Sequence, residues 1–382
     1  MKKLLSLFTG GGGLDIGFEA AGFSTLLAAD NLGPAIETLA RNRPKMSLFG
    51  PPWHSGDVRD LDLGVVSTLI GKRSGSIDMM IGGPPCQPFS VAAAQRFLST
   101  DSRFKRIGFE SEDKGQLIFE YVRIIQEVRP KCFLIENVPG ILSLDNGTGI
   151  SKVYEILEQS GYTLSDPFVL NAKDFGVPQS RVRAFVVGSL NGKKMVKPVP
   201  THAAEADLLH MRHVSVAQAL YGIPEGAPNH ELRSHQHASI ERYKNLKFGE
   251  REKKGRVDRL DPDKPSKTVI AGGSKGGGRS HLHPFEARTL SVRECARLQT
   301  FPDSYIFEGS IGRQFTLVGN AVPPLLGEIL GREILKQIFN ISVEGPLKLS
   351  FSPTDPVAAV DSLLKQSLDR SPQLLYNDLI AV

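Results

Sequence analysis

Apolar residues in the first half of the chain fall into short blocks separated by amphipathic stretches. Leu4–Phe8, Thr25–Asp30, Ile77–Ile81 and Cys132–Glu136 each suit a buried strand ending in turn-forming residues. Between them, Leu14–Ala21 has helical periodicity, and Pro34 suits the first position of a second helix. Gln116–Val128 places Leu117, Tyr121, Ile124, Ile125 and Val128 on one helical face. This alternation predicts a largely parallel sheet with helices on both sides. Ligands of such a sheet bind at the carboxyl ends of its strands.

The rhythm breaks after Val187-Gly188. Residues 191–287 are rich in Pro, Gly, His, Lys and Arg and hold only brief apolar runs, which predicts a smaller irregular or β-rich domain. Regularity resumes at Ser291-Val-Arg-Glu294, a capping-box spacing, and a further helix follows Pro323-Pro324 towards Phe339. The expected domains are 1–190 with 311–345, then 191–310 as a second domain and hinge, and 346–382 as a peripheral C-terminal extension without a role. No internal repeat is visible.

Charge sharpens this division. The net charge is only +5, but residues 191–287 hold 17 Lys and Arg against 11 Asp and Glu, and eight of the nine histidines. The whole cationic excess therefore lies in one internal segment, as a nucleic-acid contact surface requires; a solvated, loop-rich insert is the alternative. No apolar run approaches the roughly 18 residues of a membrane span. Met1–Phe8 imitates a signal-peptide start but has too short an apolar run. Three cysteines (Cys86, Cys132, Cys295) argue against a disulfide framework and for a reducing cytoplasm. Neither CxxC nor HExxH spacing occurs, so no metal site is expected.

Four constellations carry candidate chemistry, each at a predicted strand exit. Phe8-Thr-Gly-Gly-Gly-Gly-Leu-Asp15 is a glycine turn leading into a helix, which lets backbone approach a ligand. The dinucleotide fingerprint needs glycines at i, i+2 and i+5, but Asp15 or Ile16 stands at the last position, which disfavours NAD(P). Asp30, about twenty residues on, suits a ribose-hydroxyl acceptor. Gly82-Gly-Pro-Pro-Cys-Gln-Pro-Phe-Ser90 holds Cys86 among turn formers, unlike Cys132 and Cys295, which read as small buried hydrophobes. That setting favours Cys86 as a nucleophile whose thiolate needs a local positive field. Ile135-Glu-Asn-Val-Pro139 presents Glu136, and Gln179-Ser-Arg-Val-Arg183 puts Gln179, Arg181 and Arg183 on one face of an extended segment.

These motifs, in this order, resemble the DNA (cytosine-5)-methyltransferase family, as do Arg288-Thr-Leu-Ser-Val-Arg-Glu-Cys-Ala-Arg-Leu-Gln-Thr-Phe-Pro302 and Gly319-Asn-Ala-Val-Pro323. The similarity covers residues 4–190 and about 283–331, leaving the basic insert unmatched. It implies a Rossmann-like S-adenosylmethionine-dependent methyltransferase fold with a target-recognition domain. It implies transfer of a methyl group from S-adenosyl-L-methionine to C5 of a cytosine flipped out of duplex DNA. Cys86 would add to C6, Glu136 would bind N3 and N4 through a protonated or proton-sharing carboxyl, and Arg183 would contact O2. Arg181 falls in the same catalytic motif, and Asn137 and Gln179 would support the Cys86 loop and neighbouring strand. For the cofactor, Phe8 would stack on adenine, with Gly10, Gly12 and Gly13 along the methionine part. Asp30 would hold the ribose; the family more often has Glu there. Asp57 would accept from the adenine amino group, and Val58, Pro85, Leu117, Asn320 and Val322 match other pocket positions. The segment around Asn320 must then fold back beside the first strand.

The loop Gln95–Gly115, with Arg96, Arg103, Lys105 and Arg106, is expected to close over the flipped base, and the basic insert to read bases in the major groove and bind phosphates with Lys and Arg. The motifs starting at Leu4 match a compact bacterial or phage modification enzyme: a cytoplasmic, nucleoid-associated monomer with double-stranded DNA as partner and no membrane. A cognate restriction endonuclease would be a functional companion, not necessarily a physical one. Two rivals share the core. A tRNA cytosine-5 methyltransferase carries a Cys-Phe-Thr motif, but residues 191–287 hold no cysteine. A catalytically dead DNA-binding paralogue loses the Cys or the Glu, and both are present here.

Overall fold

The computed structural model describes residues 1–70, 77–85, 116–143, 147–254, 257–270, 281–351 and 354–380. Cys86 and the Gln95–Gly115 loop lie outside them. Two compact units form: Met1–Asn171, Val182–Val199 and Glu328–Pro346 make the first, and Ala172–Arg181, Pro200–Gly327 and Leu347–Val382 the second.

The first unit is built on one sheet. Its strands are β1 (Lys2–Leu7), β2 (Phe23–Ala29), β3 (Ser47–Phe49), β4 (Met79–Gly82), β5 (Cys132–Asn137), β6 (Thr163–Leu164), β7 (Phe168–Asn171) and β8 (Val182–Ser189). The order is β3-β2-β1-β4-β5-β8-β6, with β7 also on β8. β1 to β5 are mutually parallel, whereas β8 runs antiparallel to β5, β6 and β7. Leu5, Leu7, Met80, Phe133 and Ile135 pack with helices α3 (Leu63–Ile70), α4 (Leu117–Val128) and α5 (Thr148–Gln159). The alternate positions Leu4, Met79, Ile81 and Leu134 are equally buried, so the opposite face is covered too. Helix α1 (Gly13–Ala21) meets the C-terminal return there: a Cβ at Gly331 would stand 2.7 Å from that of Ala21, and the Phe23 and Phe339 rings meet edge to face. The segment Glu328–Pro346 thus folds back beside the first strands.

In α4 the buried stripe is Ile118, Tyr121, Val122, Ile124 and Ile125, with Leu117 and Val128 only partly covered. The stripe is shifted from the expected face because the helix is enclosed over more than one row.

The second unit is irregular, one of the two forms expected of it, and its strands among the described residues are the short β9 (His202–Ala203) and β10 (Met211–Arg212). Residues 346–382 are not peripheral. They form helices α11 (Pro356–Arg370) and α12 (Asn377–Ile380), Gln218 Nε2 donates to the Thr354 carbonyl (2.7 Å), and Tyr376 is fully buried. The buried positions of α11, Ala359, Leu363 and Ser367, recur every fourth residue behind an Asp355-Pro356 start, a helical signal present in the sequence that sequence reasoning missed. Ala172–Arg181 also packs here, because Ser180 and Ser266 exchange backbone bonds with the 266 and 178–180 segments. The compact units therefore differ from the expected domains at 172–181, 191–199 and 311–327.

The predicted capping box forms: Ser291 Oγ accepts from the Glu294 amide and Glu294 Oε2 from the Ser291 amide. The same Glu294 binds Arg288, which also binds Glu286, all three being buried. The charged residues of the Arg288–Pro302 motif thus build the interior of this unit.

Candidate active site

The motifs converge because their strands are neighbours. Leu7 pairs with Ala29 on one side and Gly82 on the other, Gly82 pairs with Ile135, and Glu136 with Phe185. The segments after β1, β2, β4 and β5 therefore leave the same edge. Antiparallel β8 begins there, which brings Arg183 to that edge.

At the first corner the backbone turns through positive φ at Phe8 (55°), Gly10 (54°) and Gly12 (76°). For Phe8 this is a strained conformation, held by the surrounding turn. Asp30 fastens the turn: Oδ2 accepts from the Gly10 amide (2.8 Å) and Oδ1 from the Leu32 amide (2.9 Å). Burial raises the Asp30 pKa. A Cβ added at Gly10 would meet nothing within 4 Å, so among the described residues the space beside the turn is open. Behind it, α1 starts at Gly13 with Gly12 as an N-cap lacking a side chain. Its first amides suit an anion. Phe8 packs beside Tyr121 (6.3 Å between centroids), and both Phe8 and Leu117 line the adjoining core.

Asp57 reaches the same corner. Cβ atoms at Gly50 and Gly56 would stand 2.3 and 2.1 Å from the Asp30 carbonyl oxygen, so only glycine lets this loop lie on Asp30. Asp57 caps the turn Val58–Asp60, accepting from the Arg59 amide, and its carboxylate pairs with the Arg59 guanidinium (2.6 Å). That pairing lowers the Asp57 pKa. Val58 is buried beneath.

The second corner carries the acid. Glu136 is 9% exposed, and Arg183 Nε lies 3.0 Å from its Oε1. A Cβ at Gly83 would stand 2.6 Å from Glu136 Oε2. Asn137 Nδ2 donates to the Pro84 carbonyl (3.2 Å), which ties the Pro84-Pro85 segment to the end of β5. Cys86 follows directly in sequence.

Gln179, Arg181, Asn320 and Val322 belong to the second unit. Gln179 is fully buried, donating to the Leu298 carbonyl and accepting from the Val269 amide. Arg181 donates to the carbonyls of Gly319 and Asn320 (3.0 Å each), closing the C-terminal end of helix α9 (Ile311–Asn320). Val322 is buried. Cys132 and Cys295 are buried, as read, and burial raises the Cys132 pKa.

Sequence reasoning missed Gly83 and Asp15. Asp15 lies beneath the glycine turn and accepts from Thr9 Oγ1 (2.7 Å); burial raises its pKa to about 6. Its spacing served only to reject a dinucleotide site. Among the described residues, no group of three or more His, Cys, Asp or Glu could hold a metal ion, and no helix is long and apolar enough to cross a membrane.

The chain has clear relatives. The type II methyltransferase M.PspPI of Psychrobacter sp. is 32% identical over 360 residues, covering 88% of this chain and 79% of its own. M.Eco47II of Escherichia coli is 31% identical over 359 residues, covering 89% and 80%. A solved structure described as a DNA modification methyltransferase encoded within an E. coli prophage superposes with a TM-score of 0.69 at 26% identity, over 89% of this chain and all of its own. The S. pombe Dnmt2 methyltransferase shares the fold, with a TM-score of 0.60 at 17% identity, over 89% of this chain and all of its own. The model of the C-5 cytosine-specific DNA methylase family matches residues 2–336. This chain belongs to that family and is a DNA (cytosine-5)-methyltransferase.

Proposed function

We propose that the enzyme methylates C5 of a cytosine flipped out of a specific duplex sequence, through a transient Cys86–C6 bond. The observation that supports it most is the Glu136–Arg183 pair at the carboxyl edge, beside the Pro84-Pro85 segment that leads to Cys86. Cytosine C5 is too weak a nucleophile to attack a methyl sulfonium unaided. Addition of the Cys86 thiolate to C6 makes C5 enamine-like, with Glu136 hydrogen-bonded to N3 and N4 and Arg183 to O2 supporting the developing charge. After transfer, loss of the C5 proton and β-elimination restore the aromatic ring and free the thiolate. Asn137 positions the cysteine segment through Pro84, and Gln179 and Arg181 brace the second unit.

The open glycine turn and the N-terminus of α1 fit the carboxylate of S-adenosyl-L-methionine, which supplies an electrophilic methyl group when bound. Phe8, Val58, Leu117 and Pro85 offer apolar contacts. Each Asp30 oxygen keeps a lone pair for a ribose hydroxyl. Asp57 would accept from adenine on an oxygen that it shares with Arg59. Asn320 and Val322 complete the assignment.

The basic segment within 191–310 would bind duplex DNA as the target-recognition domain, and the type II methyltransferases among its relatives support a place in a restriction-modification system, where the enzyme would act as a cytoplasmic monomer. The test is tritiated methyl transfer to duplex DNA and to tRNA by wild type and Cys86→Ser. Transfer to duplex only, lost in the variant, is expected. Transfer that survives the substitution refutes the covalent route, and transfer to tRNA alone refutes the substrate. Base-resolved mapping in an expressing cell gives the recognition sequence.

A further inference from the structure

The C-terminal residues supply two side chains to a fully enclosed cation of the second unit. Arg259 has no solvent exposure, and its guanidinium lies between the rings of Phe248 (4.0 Å) and Tyr376 (3.6 Å). Nη1 donates to the Leu246 carbonyl (2.6 Å) and to both Asp378 oxygens (2.8 Å each), and Nε donates to the Pro284 carbonyl (2.8 Å). Tyr376 also belongs to the apolar cluster of Tyr243, Leu246, Val257, Leu282 and Ala287. A buried cation fixed on this many sides has little freedom to move.

Arg259 stands at the root of two antiparallel stretches, joined by Gly249 N to Arg259 O (2.8 Å), Arg259 N to Glu250 O (2.9 Å) and Glu252 N to Val257 O (2.8 Å). Away from this root the first stretch exposes Arg251, Lys253 and Lys254, while Val257–Leu260 behind it is buried. The nearby acids are largely engaged: Glu252 with Arg242 (3.1 Å), Asp258 with Lys267 (2.6 Å), and Glu250 with the Lys247 amide (2.9 Å). Among the described residues, neither Lys253 nor Lys254 pairs with an acid.

We propose that the paired stretches Gly249–Lys254 and Val257–Leu260 form a finger that contacts DNA phosphates, and that Tyr376 and Asp378 set its direction through Arg259. This rests on the reading of duplex DNA as substrate. Phosphate contacts displace condensed counterions, so each one steepens the fall of affinity with salt by about 0.9 in log–log slope. Tyr376 and Asp378 are positioning residues, since neither needs to touch the nucleic acid.

The experiment measures binding of the full chain to a fluorescent duplex over a range of NaCl concentrations. Lys253→Ala with Lys254→Ala should flatten the slope by about 2. Asp378→Asn or Tyr376→Ala should flatten it as well, but should change nothing further in a chain already lacking both lysines. Tyr376→Phe, which keeps the ring, should behave as wild type. A wild-type slope in the double lysine variant overturns the finger. Equal losses from Asp378→Asn with and without the lysines overturn the positioning role and leave a purely structural latch. Failure of wild type to bind duplex at any salt concentration instead overturns the substrate reading itself.

Discussion

Arg183 Nε and Glu136 Oε1 stand 3.0 Å apart because β5 ends where antiparallel β8 begins. The pair is mostly enclosed, so each charge depends on the other: removing one partner of an enclosed ion pair commonly costs several kcal/mol. Arg183→Ala and Glu136→Ala should each destabilise the first unit, and the double variant should lose less than the sum. Denaturation of the four proteins checks this coupling; additive losses would mean that the pair does not interact.

Gly83 controls the same carboxylate. A methyl group 2.6 Å from Glu136 Oε2 must push the side chain aside. Gly83→Ala should therefore lower kcat by about 10²-fold or more, the usual worth of a positioned acid–base group, and leave affinity for S-adenosylhomocysteine unchanged by calorimetry. In a Glu136→Gln background the added methyl should cost much less. An unchanged kcat would show that the carboxylate position is not critical.

Asp15 predicts a pH dependence. Its folded pKa of about 6 is above the ordinary aspartate value because burial disfavours the charged form. The folded state therefore holds a proton that the unfolded state has released, and stability falls as pH rises from about 4 to about 6. The penalty, roughly 3 kcal/mol, is complete above that window. Asp15→Asn keeps an acceptor for Thr9 and should escape it, so its advantage over wild type should grow from pH 4 to 6 and then level off. Urea unfolding at several pH values measures this, and a difference constant with pH would refute it.

Arg288 holds two buried carboxylates, those of Glu286 and Glu294, at 2.8 to 3.1 Å. These contacts lower the Glu294 pKa and raise that of Arg288. Arg288→Met should cost about 3–5 kcal/mol by leaving both acids uncompensated. Duplex binding should suffer, while cofactor affinity, carried mainly by the glycine-turn corner, should change far less. Thermal melting combined with calorimetry separates the two effects.

Trp53 is the only tryptophan in the chain and lies on the Gly50–Gly56 loop that covers Asp30, with its side chain more than half exposed. Its fluorescence should change on addition of S-adenosylhomocysteine, with a midpoint matching calorimetry. Binding seen by heat but without any change in emission would place the ligand away from this loop.

The strand–turn chemistry was legible from the sequence because it is local. Apolar blocks, the glycine turn, Asp30, the Pro-Pro-Cys run and Glu136-Asn137 all sit at strand ends, and a parallel sheet gathers such ends at one edge. The capping box at Ser291 was legible for the same reason. Alternation along an extended segment was not enough for Gln179, Arg181 and Arg183. Only tertiary packing sends the first two into the interior of the second unit and leaves the third beside Glu136. The closeness of Gly83 to Glu136, the burial that raises the Asp15 pKa, and the enclosure of Arg259 by Tyr376 and Asp378 were likewise invisible in the linear order. Such contacts join residues far apart in the chain, and their energies depend on water exclusion, which no spacing rule encodes.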